Sequence, residues 1–373
     1  MLLRTWKELP KPLRRTVQLI LKAGLTVGAF YLLLSHGVTD EAGVTKPIYA
    51  IITEHLATIE LSTFLPWLLA ATLLKAVGIA CSMLRWHLLL MGQGIRFNFG
   101  HVVGSFLIGR FLGTFLPSTV GLDGYKLYDA AKFSERTVEA TAATVVEKVM
   151  GLSGIFLTFL VTFPLGAQIL GEHTAMVGML TLPIAFAVVG GLFGLLFKPG
   201  WVSWCLRLIP GFVRVRVESF VERASRAAMA YRGRASLLAT CIGLSFLVHF
   251  LTAAMYYFTA VSVGAISADF WEVSFASSIQ IFATVISPLT IAGEGIREIV
   301  QAMLLAKHIG MSQSILSAAL GFWAAEALTL VGGVFWWVRR QGYQPKVMEL
   351  SDPQSADSEQ MSEPTMKVAQ SSC

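Results

Sequence analysis

Long apolar stretches separated by short charged loops run through most of this 373-residue chain. A helix needs roughly 20 mostly apolar residues to cross a bilayer, and several stretches approach or exceed that length. They are residues 17–34, 64–91, 137–163, 174–197, 236–264 and 312–338. Only 14% of the residues are charged, against about 25% in soluble domains. The sequence therefore predicts an all-α polytopic membrane protein with about six transmembrane helices.

Two further apolar regions, 101–131 and 271–308, are each interrupted by a related ten-residue segment. Residues 117–126 read Pro-Ser-Thr-Val-Gly-Leu-Asp-Gly-Tyr-Lys, and residues 288–297 read Pro-Leu-Thr-Ile-Ala-Gly-Glu-Gly-Ile-Arg. Proline, glycine and opposite charges are all costly inside a membrane. The roughly 16-residue arm before each proline spans ~24 Å, less than the ~30 Å hydrocarbon core. Each region is therefore predicted to enter and leave on the same side, as a re-entrant helical hairpin.

The distribution of lysine and arginine among the loops predicts the orientation of the chain. Basic residues are concentrated before residue 17, between residues 198 and 235, and after Val338, which places both termini in the cytoplasm. The first hairpin then opens to the cytoplasm and the second to the outside. The two halves of the chain are therefore predicted to be inverted repeats, an arrangement typical of transporters.

This topology divides the chain into three parts. Residues 1–16 form a basic cytoplasmic N-terminus, 17–340 a single membrane domain, and 341–373 a disordered cytoplasmic tail. Within the membrane domain, repeat A covers 64–163 and repeat B covers 236–338, with a linker over 174–235. The last part of that linker is amphipathic. It is expected to lie on the inner leaflet or to act as a simple connector.

The two ten-residue segments carry the polar groups that suggest a binding site. A polar cavity lined by their cations is expected to hold a lipid phosphate. The candidate headgroup ligands are Lys126, Arg297, Arg110, Thr119 and Thr290. The candidate charge-balancing or proton-coupling groups are Asp123, Glu294, Glu147, Lys148, Glu298 and Glu326. The predicted hairpin turns contain Pro117, Gly121, Gly124, Pro288, Gly293 and Gly295.

A purely structural role for these charges stays open. An acid in the first turn of a helix caps backbone N–H groups and complements the helix dipole. Asp123 and Lys126 lie three residues apart on one helical face and would neutralise each other. Glu147 and Glu326 would likewise pair statically with Arg110, Lys126 or Arg297.

Several other classes of function have no support in the sequence. The cysteines show no CxxC pair or metal spacing, and no catalytic motif or nucleotide-binding loop is present. We therefore expect no metal, no cofactor and no enzymatic activity. The formal charge of +6 is spread over the loops, which argues against a nucleic-acid partner.

Trp86, Trp336 and Trp337 fit an aromatic belt at the membrane interface.

Several of these residues together resemble a known family. The residues are Leu84 to Leu90, Phe115 to Lys126, Glu147-Lys148 with Gly151, and Pro288 to Glu298. They look like the transmembrane region of the lysylphosphatidylglycerol synthase family, which includes the flippase half of multiple peptide resistance factor proteins. The similarity covers roughly residues 15–340. It implies handling of polar lipids in the bacterial cytoplasmic membrane.

The chain departs from the family pattern at several points. Ser118-Thr119 stands where the family usually has paired glycines, Lys126 where it has arginine, and Glu294 where it has an apolar residue. The extra acid at Glu294 would alter substrate preference. The synthase domain that attaches an amino acid to lipid is absent from these 373 residues, so aminoacyl transfer by this chain is not expected.

Three functions remain open at this point. The first is a lipid flippase or scramblase acting on anionic or aminoacylated membrane lipids. The second is a non-transporting accessory subunit of a lipid- or glycan-modifying enzyme, and the third is an ion-coupled transporter of small solutes. A homo-oligomer is compatible with each of them.

Overall fold

The computed structural model describes residues 37–39, 45–115, 120–198, 211–286 and 296–339, with isolated positions before Gly37 and at Tyr343. Most of these residues are helical. The exception is a short antiparallel ribbon, in which β1 (Gly37–Thr39) pairs with β2 (Thr45–Pro47).

The helices follow one another with short connections. They are α1 (Ile48–Leu56), α2 (Leu61–Gly92), α3 (Phe99–Phe115), α4 (Val120–Ser134), α5 (Thr137–Gly166), α6 (Thr174–Phe197), α7 (Gly211–Met229), α8 (Ala235–Ser262), α9 (Phe270–Ile286), α10 (Ile296–Ile309) and α11 (Met311–Arg339). A 3-10 segment, Ala167–His173, joins α5 to α6. The prediction of an all-α protein is confirmed.

Among the described residues, four helical stretches are long and apolar enough to cross a membrane: Leu61–Gly92, Thr137–Phe197, Ala235–Ser262 and Met311–Arg339. The longest comprises α5, the 3-10 segment and α6, and its helical path is interrupted at Gly171, which has φ 56° and ψ −129°. Five of the predicted spans therefore coincide with α2, α5, α6, α8 and α11. The sixth, residues 17–34, lies almost entirely outside the described residues.

Each predicted hairpin consists of two shorter helices, α3 with α4 and α9 with α10. Residues 116–119 and 287–295, between the two helices of each pair, lie outside the described residues. These gaps include Pro117, Thr119, Pro288, Thr290, Gly293, Glu294 and Gly295. The structure thus gives the arms of both predicted hairpins. Of the predicted turn residues, Gly121 and Gly124 lie within helix α4, and the others are outside the described residues.

The two helix pairs open toward opposite ends of α2. Val102 near the start of α3 and Ala130 near the end of α4 share a core cluster with Leu90, close to the end of α2. Val273 near the start of α9 and Ile309 at the end of α10 instead share a cluster with Ala71, in the first part of α2. The orientation of the chain and the inverted repeat stay predictions.

The described apolar side chains of helix α7 are buried in the protein. Val221, Ala224 and Ala227 join the core cluster that includes residues of α5 and α6, while Arg223 and Arg226 are exposed. Tyr231, just after α7, donates a hydrogen bond of 2.9 Å to the Leu89 carbonyl. Whether this segment lies on the inner leaflet or acts as a simple connector stays a prediction.

Candidate functional site: a buried chain of charges

Helices α2, α4, α5 and α8 meet around an ion pair in the interior of the bundle. Lys126 of α4 donates to the Glu147 carboxylate of α5, with Nζ 2.6 Å from Oε2. Their side chains are only 1% and 5% exposed. Both residues were predicted from the sequence, Lys126 as a headgroup ligand and Glu147 as its charge balance. A pair so deep replaces lost hydration with direct charge-assisted hydrogen bonding.

Arg85 of α2 holds the other oxygen of the same carboxylate. One terminal nitrogen lies 3.2 Å from Glu147 Oε1, and the other donates a 2.7 Å hydrogen bond to Ser245 Oγ of α8. Arg85 was not among the residues that the sequence predicted for the site. Because α2 continues to Gly92, Arg85 lies about two turns inside the helix and is 8% exposed.

Two aromatic rings flank the Lys126 ammonium. Its Nζ lies 4.8 Å from the centre of the Trp86 ring and 5.1 Å from that of Phe106. Rings at this distance attract a cation through their π faces. Trp86 is 1% exposed, so the prediction that this residue belongs to an aromatic belt at the membrane interface was wrong. Its indole is buried in the core because it packs over the lysine.

Asp123 extends the chain of charges toward the surface. Its carboxylate lies 3.6 Å from Lys126 Nζ and 3.2 Å from Lys148 Nζ. Asp123 is in the first turn of α4, as the predicted helix-capping role requires. The side chains of Asp123 and Lys148 are 19% and 48% exposed. Polar groups therefore run continuously from Ser245 in the interior to Lys148 at the edge.

We call Arg85, Glu147, Lys126, Asp123 and Lys148 the charge chain. Three cations and two carboxylates alternate along it, so its net charge is +1 when all five groups are ionised. The surplus cation can be neutralised by an anion at the exposed end. Lys148 thus lies at the accessible end of the charge chain, and Lys126, Glu147 and Arg85 lie at its buried end.

Arg297 lies in a second polar cluster on the other helix pair. Its Nε is 3.4 Å from the adjacent Glu298 carboxylate, and its guanidinium stacks 4.4 Å from the Phe322 ring of α11. One turn further along α10, the Gln301 amide donates to Ser277 Oγ at 3.0 Å and to Gln280 Oε1 at 2.8 Å. This cluster joins α9, α10 and α11.

The predicted site residues thus fall into two groups. Lys126 is buried beside Glu147, and Arg297 is buried beside Glu298. Arg110, a third predicted ligand, donates to Thr329 Oγ1 at 3.1 Å and so connects α3 to α11. Glu326 belongs to α11, but its side chain is outside the described part of the structure. A single chamber shared by Lys126 and Arg297 stays a prediction.

The predicted glycines of the first turn differ in their surroundings. Gly121 is buried, whereas Gly124 is exposed, and a Cβ atom at Gly124 would have no neighbour within 4 Å. The same open space surrounds Gly151 of α5. The region beside Asp123 and Lys148 is therefore accessible.

A third cluster was missed in the sequence. Asp129 of α4 lies 2.9 Å from His101 Nε2 of α3 and 3.3 Å from an Arg339 nitrogen of α11. Arg339 also donates to the His101 carbonyl at 2.6 Å. These contacts hold the end of α11 against the open end of the first helix pair. The spacing of His101 and Asp129 within one apolar region was the available signal, but Arg339 is remote in sequence.

The described residues contain no group of three or more histidine, cysteine or acidic side chains suited to a metal ion.

Comparison with known proteins found one family model that matches most of the chain. It is the Lysylphosphatidylglycerol synthase TM region, over residues 20–333. No curated protein and no solved structure gave a significant match. The matched range covers every element of the charge chain and both helix pairs. The chain therefore belongs to the lysylphosphatidylglycerol synthase transmembrane-region family and is a membrane protein.

Proposed function

We propose that this protein moves polar lipids between the leaflets of the bacterial cytoplasmic membrane, as a flippase or scramblase. The observation that carries the proposal is the charge chain, which runs from the buried Arg85 to the half-exposed Lys148. Ionisable groups inside membrane helices are expensive and usually mark a pathway for a polar substrate. The family membership supports a role in lipid handling.

The proposed architecture is six spans and two re-entrant hairpins arranged as inverted repeats, with both termini in the cytoplasm. Support comes from the helix pairs α3–α4 and α9–α10, which open toward opposite ends of α2. In transporters with inverted repeats, broken helices meet near the midplane, and one repeat rocks against the other to alternate access. With one helix pair open to each side of the membrane, such a cycle would expose the site to each side in turn.

In this scheme the basic residues bind the headgroup phosphate and the acids keep them charged. Lys126, Arg297 and Arg110, with Thr119 and Thr290, are the proposed phosphate ligands. Asp123, Glu294, Glu147, Glu298 and Glu326 are the proposed counter-charges. Lys148 is the first cation that an approaching lipid meets, because it is the most exposed member of the charge chain. Transport in this form needs no catalytic group, no cofactor and no partner besides membrane lipid.

Leaflet exchange in proteoliposomes tests the proposal. The purified protein is reconstituted with fluorescent phosphatidylglycerol, and the fraction of label accessible to an external quencher is followed over time. We expect the wild type to exceed protein-free vesicles and Lys126→Ala and Arg297→Ala to lose most of that excess. Lys132→Ala is the matched control, since Lys132 is an exposed lysine of the same helix as Lys126.

The result that contradicts the proposal is equal exchange in protein-free and wild-type vesicles. Equal rates in the wild type and both alanine variants would leave transport intact but overturn the assigned ligands. Size-exclusion profiles of all variants establish that each one is folded before its rate is compared.

A further inference from the structure

A cavity of about 340 Å³ lies between α5, α6 and α9, outside the charge chain. Its walls come from three helices and are dominated by aromatic and branched side chains. They include Ile155, Phe156 and Phe159 of α5, Ala185 of α6, and Phe275 and Phe282 of α9. A space of this size among tightly packed helices is large enough to hold part of a ligand.

The chemistry of the walls restricts the occupant to an apolar one. Thr181 is the polar residue among the lining side chains, and its hydroxyl donates a 2.7 Å hydrogen bond to the Val177 carbonyl of its own helix. It therefore offers the cavity its methyl group. An occupant with polar groups would lose their hydration without gaining hydrogen bonds, at a cost of several kcal/mol for each group.

The mouth of the cavity faces the surroundings of the membrane helices. Ile184 and Phe282, both on the lining, are 56% and 38% exposed. Helices α5 and α6 form the most apolar of the membrane-crossing stretches, so hydrocarbon chains surround the mouth. Lipid chains are the apolar molecules present at high concentration there.

The apolar cavity lies in line with the exposed end of the charge chain. Lys148 precedes Ile155 by seven residues and Phe159 by eleven, so the three share one face of α5. Seven residues correspond to about 10 Å along a helix axis. Gly151 lies between them and faces open space. The cation of Lys148 and the apolar cavity lie on one helix face, and they match the charged headgroup and the acyl chain of a lipid.

We propose that this cavity binds one acyl chain of a membrane phospholipid whose phosphodiester headgroup contacts Lys148 at the Asp123 end. The inference rests on the proposed lipid transport in one respect, since it says where the tail of the transported lipid is held. The surplus positive charge of the charge chain favours the phosphate. Because α5 and α9 both line the cavity, the bound acyl chain contacts a helix of each half of the protein.

Photo-crosslinking locates the chain directly. Phosphatidylglycerol with a diazirine in the middle of one acyl chain is incorporated into nanodiscs with the protein, irradiated, and the modified peptides are identified by mass spectrometry. We expect crosslinks concentrated on the lining residues of α5, α6 and α9. A probe with the diazirine at the headgroup should instead label the region of Asp123, Gly151 and Lys148.

Ala185→Phe fills the cavity from α6, because Ala185 is 2% exposed and lines it. The matched control is Ala187→Phe, since Ala187 is an exposed residue of the same helix. We expect Ala185→Phe to reduce groove crosslinks about tenfold, the factor given by excluding roughly two methylene groups. Ala187→Phe should leave them unchanged. Phe282→Trp narrows the mouth from another helix and provides a second test if Ala185→Phe does not fold.

The outcomes separate this inference from the proposed function. Groove crosslinks without leaflet exchange would support the acyl-chain site and contradict transport. Exchange with crosslinks spread evenly over exposed positions such as Phe186, and unaffected by Ala185→Phe, would overturn the site alone. Loss of the cavity crosslinks when the protein dimerises, as followed by size-exclusion chromatography, would assign the cavity to a second copy of the chain and would equally overturn the inference.

Discussion

Lys126 Nζ lies 2.6 Å from Glu147 Oε2, and Arg85 occupies the other oxygen of the same carboxylate at 3.2 Å. One buried acid thus serves two buried cations from α4 and α2. Burying such charges is costly, and direct pairing compensates only while every partner is present. Glu147 therefore connects the first helix pair to α2, and the pairing of both Lys126 and Arg85 depends on it.

Removing the charge of Glu147 should destabilise the protein strongly. Glu147→Gln leaves Arg85 without a carboxylate and Lys126 with only the more distant Asp123 at 3.6 Å. Breaking a buried ion pair in this way costs about 3–5 kcal/mol. Unfolding by sodium dodecyl sulfate in mixed micelles measures the change in free energy.

Glu172→Gln is the control for that substitution, because Glu172 is exposed in the 3-10 segment. Its free energy of unfolding should stay within about 0.5 kcal/mol of the wild type. Similar losses for the two variants would show that Glu147 is not the structural centre of the charge chain.

Neutralising Lys148 should affect function more than stability. Lys148 is 48% exposed and pairs with a partly exposed carboxylate, and such pairs contribute about 0–1 kcal/mol. The free energy of unfolding of Lys148→Gln should therefore be close to that of the wild type. We expect slower exchange of anionic lipid in proteoliposomes, with less effect at high salt, where the attraction is screened in any case. A marked loss of stability with unchanged exchange would reverse the assigned role.

Adding a methyl group at Gly154 should separate α5 from α8. A Cβ atom there would lie 2.5 Å from the Ser245 carbonyl oxygen, so the backbones must move apart. Close approach at small residues is a main source of helix packing in membranes. We expect Gly154→Ala to lower the free energy of unfolding by about 1–3 kcal/mol.

Gly151→Ala provides the comparison on the same helix, since a Cβ atom at Gly151 would meet nothing within 4 Å. Alanine has the higher helix propensity, so this variant should be neutral or stabilised by up to about 1 kcal/mol. The same unfolding measurement ranks the two variants. Equal destabilisation of both would mean that the α5–α8 contact is not as close as the structure has it.

Tyr231 should make stability depend on alkaline pH. Its hydroxyl is buried against the Leu89 carbonyl, and burial raises the pKa of this phenol above its ordinary value of 10.0. Above about pH 10 the unfolded chain releases this proton while the folded protein retains it, so stability falls as pH rises.

Tyr231→Phe removes both the hydrogen bond to the Leu89 carbonyl and the titratable phenol. Below pH 10 it should be less stable than the wild type by about 1–3 kcal/mol, because the Leu89 carbonyl loses its donor. Above pH 10 the difference should narrow, since phenylalanine does not titrate. Unfolding midpoints of both proteins from neutral to alkaline pH give the comparison, and parallel curves throughout would contradict the buried state of the phenol.

Much of the secondary structure could be predicted because its signals are local. Apolar length set the positions of α2, α5, α6, α8 and α11, and the proline-containing segments marked where the two helix pairs are interrupted. The predicted pairing of Asp123 with Lys126 also followed from spacing on one helix. Each of these inferences needs only residues that are close along the chain.

The errors arose where distant segments meet. Trp86 was assigned to the membrane interface and Arg85 was not predicted as a site residue, although both are buried in the interior. The partners that explain their burial, Ser245 and Lys126, come from α8 and α4. The cluster of His101, Asp129 and Arg339 was missed for the same reason, because more than 200 residues separate Arg339 from its two partners.

The sequence by itself determined that this chain is helical and enters the membrane, and it marked where two of its helical regions are interrupted. These properties depend on hydrophobic length and on residues that break helices, and both act locally. Only the tertiary structure decided which charges pair, which polar residues remain exposed, and where an apolar groove lies beside Lys148. Packing joins residues far apart in sequence, and no local pattern specifies which side chains will share a buried carboxylate.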